Sequence, residues 1–98
     1  MGEPESALST LHVDIRGIVQ GVGFRWYVRE RARALGLSGW VQNQPDGCVE
    51  VLAVGDDSAL RELRSLLERG PVGARVSAVD VRDDSPRTQP LDPFGIIK

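Results

Sequence analysis

The feature that most constrains this chain is a change of hydrophobic period across a glycine loop. Residues Thr10 to Gly17 alternate, with Leu11, Val13 and Ile15 on one side and Thr10, His12, Asp14 and Arg16 on the other, the pattern of a half-buried strand. From Phe24 the apolar residues Phe24, Val28, Ala32 and Leu35 recur at helical spacing, which predicts an amphipathic helix stopped by Gly36. Between the two lies GIVQGVGFR, Gly17 to Arg25, so a strand must turn tightly into a helix whose first turn carries an arginine. The positive end of a helix dipole disfavours a cation by about 0.3–1 kcal/mol, and the arginine therefore needs solvent or a bound anion.

The remaining chain continues in the same idiom. Ser38 to Gln44 and Cys48 to Val54 flank Pro45-Asp46-Gly47, where proline presets one turn dihedral and Gly47 can take positive φ, so the two segments predict a hairpin. Asp56 or Asp57 can cap a second helix whose inner stripe is Leu60, Leu63 and Leu67, ending near Gly70-Pro71. Val76 to Arg82 supplies a fourth strand, and its broken alternation points to a bulge near Ser77 or Ala78. Asp83 to Pro93 is polar and proline-bearing, a surface connection, and Phe94 to Ile97 is apolar enough to add a short edge strand. The order βαββαβ is that of the α+β split βαβ sandwich, an antiparallel sheet with both helices on one face.

The totals set the scale. With 98 residues, 41% of them hydrophobic, the chain supports one modest core; the reading is a flexible lead over residues 1–9 and a single domain over 10–98. Twelve basic against fourteen acidic residues leave a formal charge of -2, which gives no broad footprint for nucleic acid or for an anionic membrane. One cysteine, Cys48, and one histidine, His12, exclude an internal disulfide and a clustered zinc site. The polar N-terminal stretch lacks the pattern of a signal peptide and no run reaches the length of a membrane span, so a soluble cytoplasmic protein is expected; metal-free chemistry follows from the cysteine and histidine counts, and a monomer is expected as well.

Two places carry candidate chemistry. Successive backbone N–H groups of a glycine loop running into a helix can converge on one oxyanion, although glycine serves a plain tight turn equally well. Neither nucleotide fingerprint is present: there is no Gly-Lys-Ser/Thr ending, and the third glycine of a dinucleotide turn is missing. Arg25 can fork two charge-assisted bonds to a phosphate held by those amides, or join Arg29, Arg31 and Arg33 on a solvated basic face. Asn43 shares a strand face with Val41, and its neutral amide can hold a water without competing as a nucleophile; preparing the turn that follows is the alternative role. Cys48 lacks the Cys-x5-Arg spacing of a thiol phosphatase and no Asp-x-Asp occurs. His12 reads as structural or solvated, and Asp83-Asp84 as a solvated pair. An enzyme built from these parts would work by positioning and electrostatics.

At these residues the sequence resembles the acylphosphatase family, small enzymes that hydrolyse the carboxyl-phosphate bond of acyl phosphates. The matched runs are Gly17 to Arg25, then Leu35-Gly-Leu-Ser-Gly-Trp-Val-Gln-Asn43, then Asp46-Gly-Cys-Val-Glu50 and Gly55, with Phe94-x-Ile96 near the end. The resemblance implies a ferredoxin-like sandwich in which the loop Gln20, Gly21, Val22, Gly23 and Phe24 cradles the phosphate, Arg25 binds it, and Asn43 orients the attacking water. It implies an acyl phosphate as substrate, inorganic phosphate as product and competitive ligand, and no metal or cofactor. Trp26 and Tyr27 stand where the motif is open, and bear on substrate preference. Two rivals share the frame. One is a carbamoyl-phosphate site of the kind found in hydrogenase-maturation carbamoyltransferases, whose domains continue into zinc-finger-like cysteines. The other is a noncatalytic binding module, for which strand three offers no exposed aromatic residue to stack on RNA.

Overall fold

The computed structural model describes residues 8–86 and 88–98; the first seven positions of the expected flexible lead lie outside the described residues. The elements run β1 (Ser9–Ile18), α1 (Phe24–Ala34), β2 (Ser38–Asn43), β3 (Val49–Gly55), α2 (Asp57–Arg69), β4 (Arg75–Val81) and β5 (Gly95–Ile97). They form one five-stranded sheet in the order β4-β1-β3-β2-β5. β1 pairs antiparallel with β3 and β4, and β2 antiparallel with β3. The C-terminal edge strand forms as expected but runs parallel to β2, with Val41 opposite Ile96, so the sheet is antiparallel except at that edge.

Alternation along each strand sends one set of side chains to the helices. Val13, Ile15, Val41, Val49, Val51 and Ala53 from the sheet meet Phe24, Val28 and Ala32 of α1 and Leu60, Leu63 and Leu67 of α2 in a single buried cluster. Both helices therefore occupy one face, as the two apolar stripes require. Their orientation is pinned by polar ties: the Tyr27 hydroxyl donates to the Leu66 carbonyl at 2.9 Å, and Arg33 Nε donates to the Phe94 carbonyl at 2.7 Å. Asp56 is the N-cap of α2 in an extended conformation, without a side-chain cap bond.

The β1–β4 register shifts between Arg16, which faces Ala78, and Gly17, which faces Val76, leaving Ser77 without a partner. The bulge thus falls at one of its two expected places and bends the sheet where the chain leaves β1 for the glycine loop. Gly17 sits there at φ 126°, and a Cβ added to it would come within 2.1 Å of the Arg75 carbonyl oxygen. No other residue fits that approach.

The opposite face holds the main surprise. Residues after β4 cross it to reach β5, the Trp40 indole N–H donates to the Thr88 carbonyl at 3.1 Å, and Gly39 exchanges backbone bonds with Leu91 at 2.8 and 3.3 Å. The expected surface connection is also a roof. Beneath it His12 is buried at 6% exposure and its Nε2 bonds Glu50 Oε2 at 2.6 Å, so of the two readings of His12 the structural one holds.

Candidate active site

β1 ends beside the bulge and the chain enters the loop with Gly21 and Gly23 both at φ 78°, where an added Cβ would meet nothing within 4 Å. Two left-handed glycines so close together leave the loop backbone unobstructed by side chains, the condition under which successive N–H groups can converge on one anion. Gly23 is also the N-cap of α1, and no side chain caps it. The first intrahelical bond runs from the Tyr27 N–H to the Gly23 carbonyl at 3.0 Å, so the amides of Phe24, Arg25 and Trp26 have no helical acceptor. The first turn contains no acidic residue; nothing in the helix itself offsets the positive end of its dipole.

The loop is tied to the β2–β3 hairpin by one side chain. Gln20 Nε2 donates to the carbonyls of Gln44 at 2.8 Å and Cys48 at 2.9 Å. The side chain of Gln20 is therefore spent on the fold, and only its backbone is free for a ligand. The hairpin turn is closed by Gly47 N–H to the Gln44 carbonyl at 3.1 Å and Cys48 N–H to Asp46 Oδ1 at 3.1 Å.

This arrangement brings the two sequence candidates together. A cavity of about 300 Å³ is lined by Gly21, Gly23, Phe24 and Arg25 from the loop and helix, by Asn43 from the end of β2, and by Trp26 and Lys98 at its margin. Gln20 and Val22 are not in its wall. Asn43 reaches it because it lies on the helix side of β2, two residues beyond Val41, which is fully buried in the core. Arg25 is half-buried and bonds no described residue, unlike Arg29, which pairs with Glu30 at 3.1 Å, and Arg33, which holds Phe94. The Oδ1 of Asn43 is buried without a hydrogen-bond partner among the described residues. Buried acceptors are rarely left unsatisfied, so this oxygen awaits a donor.

Cys48 stands close by in sequence but does not enter the cavity. Burial, and next the Asp46 carboxylate, push its thiol up to about 12, which leaves it protonated and inert as a nucleophile at neutral pH. Among the described residues no three His, Cys, Asp or Glu side chains are grouped to hold a metal ion, and no helix is long and apolar enough to cross a membrane.

A family model described as Acylphosphatase matches residues 11–96. The chain belongs to the acylphosphatase family. Its relatives include the acylphosphatase of Koribacter versatilis, 51% identical over 74 residues that cover 76% of this chain and 67% of that one. The crystal structure of acylphosphatase from Bacillus subtilis superposes with a TM-score of 0.81 at 33% identity, covering 94% of this chain and all of that one. T. kodakarensis HypF matches with a TM-score of 0.74 and 30% identity over 90% of this chain but only 11% of its own. The acylphosphatase-family chain thus has the ferredoxin-like fold and is an enzyme. Of the residues expected from the sequence, Arg25, Asn43, Gly21, Gly23 and Phe24 meet in this cavity. Sequence reasoning did not find Lys98 as a wall of the cavity, nor the tie made by the side chain of Gln20. The only available signal for that tie was a glutamine, with two donors on one nitrogen, placed beside a turn rich in carbonyls.

Proposed function

We propose that the chain hydrolyses acyl phosphates to a carboxylate and inorganic phosphate by direct in-line attack of water, with no metal and no covalent intermediate. The observation that carries this reading is the meeting, in one cavity, of the Arg25 guanidinium and the Oδ1 of Asn43, neither of them partnered among the described residues, beside uncapped loop amides. The backbone N–H groups of the loop residues in the cavity wall, Gly21, Gly23 and Phe24, take the phosphate oxygens and Arg25 adds two parallel N–H bonds. Each bond to a charged group is worth about 1.5–3 kcal/mol, which outweighs the dipole penalty on the cation of about 0.3–1 kcal/mol. A water donates one hydrogen to Asn43 Oδ1 and turns a lone pair toward phosphorus, opposite the bond to the acyl oxygen.

As the new P–O bond forms, the old one breaks and its electrons leave with the carboxylate. Ordinary carboxyl groups titrate near 4, so this leaving group departs unprotonated at neutral pH and no general acid is required. The water's proton passes to a phosphate oxygen. Inorganic phosphate, which has the same oxygens, competes for the site. The same reading has residues 10–98 acting as one unit, a cytoplasmic monomer that uses neither nucleic acid nor membrane.

The test is hydrolysis of benzoyl phosphate with and without a chelator, combined with two substitutions. Arg25→Ala abolishes phosphate inhibition along with activity, whereas Asn43→Ala abolishes turnover and leaves inorganic-phosphate binding largely intact. Chelator-sensitive activity would overturn the metal-free mechanism, and near-normal turnover by Asn43→Ala would overturn the role of the amide.

A further inference from the structure

The first turn of α1 gives four consecutive side chains four different surroundings. Phe24 is in the core, Arg25 lines the cavity, and the Tyr27 hydroxyl is bound to α2. Trp26 is 58% exposed. Tryptophan is highly buried on average, so an indole held this far into solvent forgoes much of the burial it could have. It is not loose: the Arg29 guanidinium carbon lies 3.8 Å from the centre of its ring, and Arg29 is itself bonded to Glu30 at 3.2 Å. A cation stacked on the ring, one helical turn along, fixes its plane.

The same ring borders the cavity that contains Arg25 and Asn43. Asn43, the last residue of β2, pairs with Val49 of β3, and Lys98 follows Ile97, the last residue of β5, so these two belong to the strand side of the cavity. Trp26 belongs to the helix side. In-line displacement puts the leaving group across phosphorus from the attacking water. With the water at Asn43 on the strand side, the acyl group points toward the helix side, where Trp26 is the exposed aromatic wall.

We propose that Trp26 is the acyl-group platform of this enzyme, a specificity-determining residue that makes it select acyl phosphates with flat aromatic acyl groups over short aliphatic ones. This rests on the hydrolytic reading of the site given above. The contact is remote from the breaking bond and is made equally in the bound substrate and in the transition state, so it acts on KM and leaves kcat unchanged.

The experiment compares benzoyl phosphate with acetyl phosphate in the wild type, in Trp26→Ala and in Trp26→Phe. Because the ring is exposed and outside the core, both variants fold. Trp26→Ala lowers kcat/KM for benzoyl phosphate about tenfold through KM, the upper range for a lost aromatic contact, while acetyl phosphate changes less than about twofold by the same measure. Trp26→Phe restores most of the benzoyl preference, and inhibition by inorganic phosphate is the same in all three. A preference unchanged in Trp26→Ala, with both substrates still hydrolysed, overturns the platform alone. Weakened phosphate inhibition in that variant assigns Trp26 to the phosphate site and also overturns it. A wild-type chain that hydrolyses neither substrate overturns the hydrolytic reading and the platform with it.

Discussion

Gln20→Ala separates positioning from stability at this site. The side-chain nitrogen donates to two carbonyls, Gln44 at 2.8 Å and Cys48 at 2.9 Å. Each carbonyl retains another donor, since Gln44 O also accepts from Gly47 N–H at 3.1 Å and Cys48 O from Gln44 N–H at 2.9 Å. Removal therefore costs the net value of two hydrogen bonds, about 2 kcal/mol together, and not the larger penalty of orphaned buried acceptors. For a chain of this size that lowers Tm by about 10 °C. The effect on catalysis is larger than the effect on stability. The tie holds the loop against the hairpin that carries Asn43, so without it the phosphate and the water of the proposed mechanism would be placed by separate elements. A displacement near 1 Å can cost about 100-fold, and kcat for benzoyl phosphate is expected to fall by about that factor well below Tm. Thermal unfolding and steady-state kinetics on the same preparation make the measurement. A variant that loses the expected Tm but keeps kcat within about twofold would refute the coupling and leave Gln20 a purely structural residue.

Three further outcomes follow from the geometry. Gly17→Ala places a Cβ 2.1 Å from the Arg75 carbonyl at φ 126°; urea unfolding should show a loss of about 3 kcal/mol, and a change under about 0.5 kcal/mol would mean that β4 yields freely. With its thiol pushed up to about 12 by burial, Cys48 should resist iodoacetamide at pH 8 in the native protein and react promptly in denaturant; native-state labelling as fast as that of a free thiol would contradict its burial. Hydrogen bonds from Arg82 hold the Asp84 carboxyl at about 2, below its ordinary 3.8, so the pair's contribution is full above pH 3.8 and disappears as pH falls through about 2. Acid unfolding of Asp84→Asn should lack that component, and a profile identical to the wild type's would show that the pair contributes nothing.

The two helices and β1 were legible because each keeps its own period. Phe24, Val28 and Ala32, and Leu60, Leu63 and Leu67, are the buried stripes of α1 and α2. The placement of Asn43 was legible for the same reason, since alternation fixes it to the face of Val41. The roof over the other sheet face was not. Asp83 to Pro93 has no period, and what holds it are backbone acceptors meeting Trp40 and Gly39 from a distant part of the chain. The burial of His12 depends on that roof and on Glu50, 38 residues away. The parallel course of β5 was equally hidden, because a three-residue apolar run says that it can pair and not with which neighbour.

The roofed face offers a rival to the proposed phosphate site. Its cavity, about 380 Å³, exceeds the other at about 300 Å³ and contains an arginine of its own, Arg82. But Arg82 is occupied: its Nη1 bonds both carboxylate oxygens of Asp14 at 3.0 and 3.2 Å, and its Nε and Nη2 bond Asp84 at 2.9 and 2.7 Å. Glu50 is likewise committed to His12 and Gln44. A phosphate arriving there would have to displace carboxylates already paired at good geometry and would meet their charge as it did so. The smaller cavity is lined by two cations, Arg25 and Lys98, and by no aspartate or glutamate, with free amides at the end of a helix dipole. On the proposed reading, a phosphate there gains bonds without displacing any carboxylate of the cavity wall. Arg25, at the start of α1, bonds no other described residue, which on the proposed reading leaves its guanidinium for a phosphate.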